Sequence, residues 1–298
     1  MLHIIKMPSL RKSRKRSKNR SSKRRSRVRS PKQSKKRSNR RSRMDGPQDT
    51  GKRERVALKA INNSLFDAMR ANNIDELAAL LAAGANPDTV LNEDGATPVL
   101  FAAQEGNPEC LRMLIDAGAN VNTPDQYGAT PVWGSAYMGN EECLRMLIDA
   151  GADVNAANRV GRTPVESAAF RGNPECLRML IDAGADVNIA DRGGNTPIWL
   201  AVRGGQECLR MLIENGANVN TPDQHGRTPA WWAATRGRPE CLRMLIEAGA
   251  NLRTPANTGT TPLEEARQNG HQQCVDMIDY KLDQRNNRPT KSAASGRF

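Results

Sequence analysis

The chain has 298 residues, a formal net charge of +13 and only 4% aromatic residues, which sets it apart from an average globular domain. The charge is divided: residues 1–44 hold 20 of the 45 Lys and Arg and none of the 32 Asp and Glu, which leaves the remainder with 25 basic against 32 acidic residues, a net of −7. No apolar run approaches the ~18 residues of a membrane helix, and the opening Met-Leu-His-Ile-Ile-Lys-Met-Pro is too short, with its charge on the wrong side, for a secretory signal; a soluble intracellular protein without a membrane partner is expected.

In chain order the first element is a basic arm, residues 1–55. Residues 11–43 are almost wholly Lys, Arg, Ser and Asn, and a segment that buries no apolar area is expected to be disordered. Its clusters include Arg14, Lys15, Arg16, Lys18, Lys23, Arg24, Arg25, Lys35, Lys36 and Arg37. These suit a nuclear localisation signal read by an importin. They also suit sequence-blind binding of RNA or DNA phosphates. A transit peptide, opposed by the near absence of apolar residues after Leu10, and a solubilising tail complete the alternatives. Ten serines from Ser9 to Ser42 make the arm a candidate switch, since ~−1.5 to −2 per phosphate would roughly cancel its 20 positive charges. The expected location is nuclear or nucleocytoplasmic, with cytoplasmic as the alternative.

A repeat follows. Thr-Pro recurs at Thr97, Thr130, Thr163, Thr196, Thr228 and Thr261, at spacings of 33, 33, 33, 32 and 33. Glu-Cys-Leu-Arg-Met-Leu-Ile recurs from Glu109, Glu142, Glu175, Glu207 and Glu240, and Gly-Ala-(Asn/Asp)-Val-Asn segments come after it. Thr130 predicts a helix N-cap with Pro131 at the first helical position, where a missing N–H costs nothing, and Gly139 predicts its end. Asn107-Pro108-Glu109 opens a second helix with Cys110, Leu111, Leu114 and Ile115 on one apolar face, and Gly118 stops it. Neither helix buries its face alone, so neighbours must stack. Residues 64–88 lack Thr-Pro but keep the pattern, as an N-terminal capping unit. The last unit is polar at Gln272, Gln273, Asp276 and Asp279, as a C-terminal cap should be. The unit from Thr196 is one residue short, which places the deletion in the inter-helix turn near Arg203-Gly204.

A period of 33 with Thr-Pro opening a helix resembles the ankyrin repeat, a β-turn plus two antiparallel helices. The resemblance covers roughly residues 62–283. It implies an all-α ankyrin-repeat solenoid of about seven units including caps, residues 56–283, with a C-terminal tail at 284–298. It also implies a concave surface of turn tips and first helices that binds another protein.

Several features look chemical and have plainer readings. Cys110, Cys143, Cys176, Cys208, Cys241 and Cys274 occupy one position of the second helix in six units. Neighbouring helices lie ~8–10 Å apart and a disulfide needs Cα atoms within ~7 Å, so these are expected to be core thiols. No Cys or His pair has metal-ligand spacing, and no cofactor is expected. Arg112, Arg145, Arg178, Arg210 and Arg243 form an outward column, each with an acid three residues before and four after, as a self-compensated helix face. No nucleophile, base or phosphate loop is arranged for catalysis, so the chain is expected not to be an enzyme.

The positions that vary between units mark the candidate binding surface. Turn tips carry Tyr127, Arg159, Arg192, His225 and Arg227, and first helices carry Trp133, Tyr137, Phe170, Arg171, Trp199, Arg203, Trp231, Trp232 and Arg236. The tryptophans fall at the position three after the repeat threonine, or next to it, where the family pattern has His. Both inter-repeat packing and a ligand-anchoring aromatic strip fit them. The first full unit presents Glu93, Asp94 and Glu105 and the later ones arginines, so the expected partner is acidic where it meets the third to fifth Thr-Pro units. The sequence thus describes a monomeric, non-catalytic adaptor. One alternative is a nucleic-acid-associated regulator working through the arm. Another is a ubiquitin-ligase substrate adaptor, for which residues 284–298 are too short and polar to supply a recruiting box.

Overall fold

A computed structural model describes residues 60–286, all of which belong to one compact unit of the chain. The arm, with its ten named basic residues, and the tail from residue 287 lie outside the described residues. Among the described residues there are fourteen helices and no strand. They are α1 (60–70), α2 (Ile74–Ala82), α3 (Pro98–Glu105), α4 (Pro108–Asp116), α5 (Pro131–Met138), α6 (Glu141–Asp149) and α7 (Pro164–Arg171). There follow α8 (Pro174–Asp182), α9 (Pro197–Gly204), α10 (Gln206–Glu214), α11 (Pro229–Thr235), α12 (Pro239–Glu247), α13 (Pro262–Gln268) and α14 (Gln272–Asn286). The last helix runs through Asn286, three residues past the domain end read from the sequence. No described helix is long and apolar enough to cross a membrane.

The local chemistry follows the repeat. Threonine hydroxyls accept the N–H of the residue three positions on, as from Leu100 at 3.3 Å, Trp133 at 3.3 Å and Trp231 at 3.2 Å, with proline in the first turn. Gly139 closes α5 in the left-handed region at φ 81°. The second helices bury Cys, Leu and Leu on one face: Cys110, Leu111 and Leu114 in α4, and their counterparts in α6, α8 and α12. Leu111, Leu144, Leu177, Leu209 and Leu242 are fully buried and form the spine of the stack. At roughly 1.5–3 kcal/mol per buried leucine, this spine is a substantial part of the core's stabilisation. All six cysteines are free and buried. Burial raises their pKa, to about 11 for Cys143 and Cys208 and about 12 for Cys176, so they pack as apolar residues.

Three hydrogen-bond ladders join unit to unit. At the turn tips, backbone N–H groups of Gln126, Arg159, Arg192, Gln224 and Asn257 donate to Asp94, Tyr127, Val160, Gly193 and His225 carbonyls of the preceding unit at 2.8–3.0 Å. After the second helices, Asp88, Asn122, Asn155, Asn188 and Asn220 accept the N–H of Asn120, Asp153, Asp186, Asn218 and Asn251. At the inter-helix turns, Asn140 Nδ2 donates to the Ala103 and Gln104 carbonyls, and Asn173 Nδ2 to those of Ala136 (2.9 Å) and Tyr137 (3.3 Å). His271 takes the same place in the last unit, 3.1 Å from the Thr235 carbonyl. Asn173→Ala removes both bonds and leaves two carbonyls unpaired. It is expected to lower the unfolding free energy by roughly 1–2 kcal/mol, measurable as a lower urea midpoint at unchanged slope.

The short unit lies where the sequence places it. Two residues separate α3 from α4, α5 from α6 (Gly139 and Asn140) and α7 from α8, and three separate α1 from α2, α11 from α12 and α13 from α14. Between α9 and α10 there is only Gly205, at φ 145° and ψ 158°, which serves as C-cap and N-cap together. The bridging asparagine is gone, and Gly204 instead comes up against the Ala169 carbonyl.

Candidate protein-binding surface

First helices pack against their neighbours more closely than second helices do, so the stack bends with α3, α5, α7, α9, α11 and α13 on its inner side. The outer side repeats itself. There Arg178, Arg210 and Arg243 pair with Glu175, Glu207 and Glu240 at 3.4–3.5 Å along the helix, exposed pairs worth only about 0.2–1 kcal/mol each.

Four of the turn tips are each built by one Asx side chain. Asp125 Oδ1 accepts the N–H of Tyr127 and Ala129, Asn158 those of Val160 and Arg162, Asp191 those of Gly193 and Asn195, and Asp223 those of His225 and Arg227. The tip side chains therefore project from rigid turns. Tyr127 is 51% exposed and Val160 41%, while Arg159, Arg192 and His225 are exposed beside them. The Tyr127 hydroxyl donates to Asp94 Oδ1 of the preceding tip at 3.2 Å.

Behind the tips lies a row of rings and guanidinium groups. Trp133 stacks on Tyr137 at 5.0 Å and Trp199 on Trp232 at 4.7 Å. Arg171 sits over Tyr137 at 4.8 Å, Arg203 over Phe170 at 4.8 Å and Arg236 over Trp232 at 4.4 Å. Arg227 lies over Trp199, Trp231 and Trp232 at 5.6–5.8 Å. The four tryptophans are 7–8% exposed, so most of each ring is inter-repeat packing and the arginines form the outer layer. Trp231 Nε1 donates across to the Thr260 carbonyl of the next unit at 3.2 Å. Tyr137 and Phe170 are half-buried, and Arg171, Arg203 and Arg236 are exposed. The fourteen residues read from the sequence thus fall into exposed tips, an arginine layer and a buried aromatic layer.

Three residues matter here that the sequence reading passed over, Asp223, Asp191 and Glu166, together with Met138 of the varied first-helix ends. Asp223 is buried and holds Arg227 by Nε at 2.7 Å and Nη2 at 2.5 Å; the Asp-x-x-x-Arg spacing was the available signal. Asp191 lies 3.5 Å from Arg162. Met138 is 50% exposed at the end of α5. Glu166 is fully buried between the Trp133 and Trp199 positions, and Thr163-Pro-Val-Glu166 forms a capping box. Its Oε2 accepts the Thr163 N–H at 3.2 Å while its Oε1 has no partner. Burial first, and the Asp191 carboxylate second, push its pKa up to about 9. Among the described residues no group of three or more His, Cys, Asp and Glu is placed to hold a metal ion.

This geometry defines a class: a solenoid of helix pairs with a constant outer face and a varied inner one. Residues 65–158, 150–223 and 220–288 match the family described as ankyrin repeats (3 copies), and the chain belongs to that family. It is similar to the crystal structure of the ankyrin repeat domain of Bcl-3, a member of the IkappaB protein family. The identity is 27% over 72% of this chain and 97% of that one, with a TM-score of 0.63. It is similar likewise to the human ASB11 ankyrin repeat domain, at 27% identity over 72% of this chain and 96% of that one, with a TM-score of 0.63. Comparison with curated proteins gives no match. Ankyrin repeats serve generally as protein–protein interaction modules.

Proposed function

We propose that the solenoid is a non-catalytic adaptor that grips another protein with its turn tips and first-helix ends, while the basic arm directs the complex to the nucleus or tethers it to nucleic acid. One observation carries the first half. Nearly invariant outer helices and recurring inter-repeat bonds hold inner tips that differ from unit to unit, and the exposed Tyr127, Met138 and Val160 stand on that side. A rigid scaffold presenting varied, partly aromatic and arginine-rich side chains is the composition that interface hot spots favour. The arm's charge carries the second half.

Site-specific photo-crosslinking in the full chain tests the first half. A crosslinker at Met138 or Val160 is expected to capture a partner protein in cells, and one at Arg178 on the outer face is not. Adducts from Arg178 alone, or from none of the three, overturn the reading. For the arm, deletion of residues 1–44 is expected to abolish nuclear accumulation or to flatten the salt dependence of nucleic-acid retention; a deletion that changes neither removes that half.

A further inference from the structure

Five arginines of the inner first-helix side line the ring row, and they are not equivalent. Arg162 lies 3.5 Å from Asp191, and Arg227 is clamped by the buried Asp223. Their charges are answered inside the fold. Arg171, Arg203 and Arg236 are exposed and have no carboxylate partner among the described residues. Each is held over a ring, Tyr137, Phe170 or Trp232, at 4.4–4.8 Å. A ring under a guanidinium fixes its plane and leaves its N–H edges free, so less side-chain entropy is lost when a carboxylate docks on the fork.

The three stand on consecutive units, at the ends of α7, α9 and α11. Helices of adjacent units lie ~8–10 Å apart. Three residues of polyproline II chain, at ~3.1 Å each, cover the same distance and, with three residues per turn, bring every third side chain to one face. At the equivalent position two units toward the N-terminus stands Glu105, also exposed, which repels an acidic chain and limits the row to these three units.

We propose that the occupant of this row is a polyproline II segment of a partner protein with a carboxylate at every third residue, (Asp/Glu)-x-x-(Asp/Glu)-x-x-(Asp/Glu), laid along the stack with one carboxylate on each guanidinium fork. The inference rests on the protein-binding reading above and adds to it the chemistry of the partner. The bond formed is the charge-assisted fork to carboxylate, and the specificity lies in the register rather than in net charge.

The test is fluorescence anisotropy at physiological salt with the full chain and two labelled nine-residue peptides of the same composition. One is (Glu-Gly-Ser) three times over; the other places its three Glu together. The basic arm attracts both by net charge, so the ratio of their affinities isolates the register. The spaced peptide is expected to bind about tenfold more tightly, and the Arg171→Glu/Arg203→Glu/Arg236→Glu variant is expected to bring the ratio to one while its circular dichroism melt stays unchanged. Should the charge reversals disturb folding, the Arg→Gln triple variant removes the same forks without adding repulsion. A ratio of one in the wild-type chain, or a ratio that survives in the folded variant, overturns the proposal. If the Met138 crosslink still captures a partner in that case, only the register is lost; if that crosslink fails too, the protein-binding reading fails with it.

Discussion

Gly204→Ala is expected to lower the unfolding free energy by about 3 kcal/mol or more, the largest loss of any glycine-to-alanine change among the described residues. A Cβ on Gly204 would overlap the Ala169 carbonyl oxygen, and one on Gly172 would overlap the Gly204 carbonyl. Both obstacles are backbone, which cannot rotate away as a side chain can. The cause is the missing residue: without an asparagine to bridge the units, α9 is drawn directly onto the end of α7. Gly118→Ala provides the comparison. Gly118 sits at φ 82° with open space around its Cα, so alanine there costs only the left-handed conformation, roughly 1–2 kcal/mol. Thermal unfolding followed by circular dichroism should rank wild type above Gly118→Ala and that above Gly204→Ala. Equal midpoints for the two variants would show that the short turn has room to relax. Inserting Asn after Gly205, to restore the two-residue turn, should recover most of the loss in Gly204→Ala.

The features that could be read from sequence are those whose cause is local. Thr130 and Pro131 start α5 because of their own hydroxyl and ring, and the capping bond to Trp133 is made within one turn. The outer arginines were legible for the same reason: Arg178, Arg210 and Arg243 find their partners three residues away on one helix. The deletion in the fourth Thr-Pro unit was legible because the period itself marks it.

The inner face was legible as a set of positions and not as an arrangement. Tyr137 and Arg171 belong to different units and meet only after stacking; nothing in the spacing says which ring lies under which guanidinium. The sharpest case is a pair of identical local motifs. Thr163-Pro-Val-Glu166 and Thr261-Pro-Leu-Glu264 both form complete capping boxes. Glu264 is exposed, and the Thr261 N–H and hydroxyl hold its carboxyl below the usual range. Glu166 is covered by the next unit, which also brings Asp191, and its carboxyl is pushed up instead. The same four-residue grammar gives opposite electrostatics because one unit has a successor whose turn tip supplies that acid and the other ends the stack.

That contrast yields a pH prediction of known sign. With its pKa raised from 4.5 to about 9 in the folded protein, Glu166 is protonated in the fold and ionised in the unfolded chain over that whole interval. The unfolded state therefore binds fewer protons, and each unit of rising pH removes stability until the folded group itself ionises. Glu166→Gln keeps an acceptor for the Thr163 N–H and cannot ionise. Relative to the wild type, its unfolding free energy is expected to hold a constant offset below pH 4.5 and then to gain with pH, reaching roughly 2–3 kcal/mol more at pH 7 than at pH 4.5. The groups facing the carboxyl are Arg162 and Asp191. Arg162 opposes the shift, so Arg162→Gln should steepen the wild-type loss, and Asp191→Asn should flatten it. Urea midpoints of the four proteins between pH 4 and 9 decide the matter, since the thiols titrate alike in all of them and cancel in the differences. Parallel profiles for wild type and Glu166→Gln would mean that the buried carboxyl is ionised in the fold, stabilised by Arg162 more strongly than Asp191 and burial oppose it.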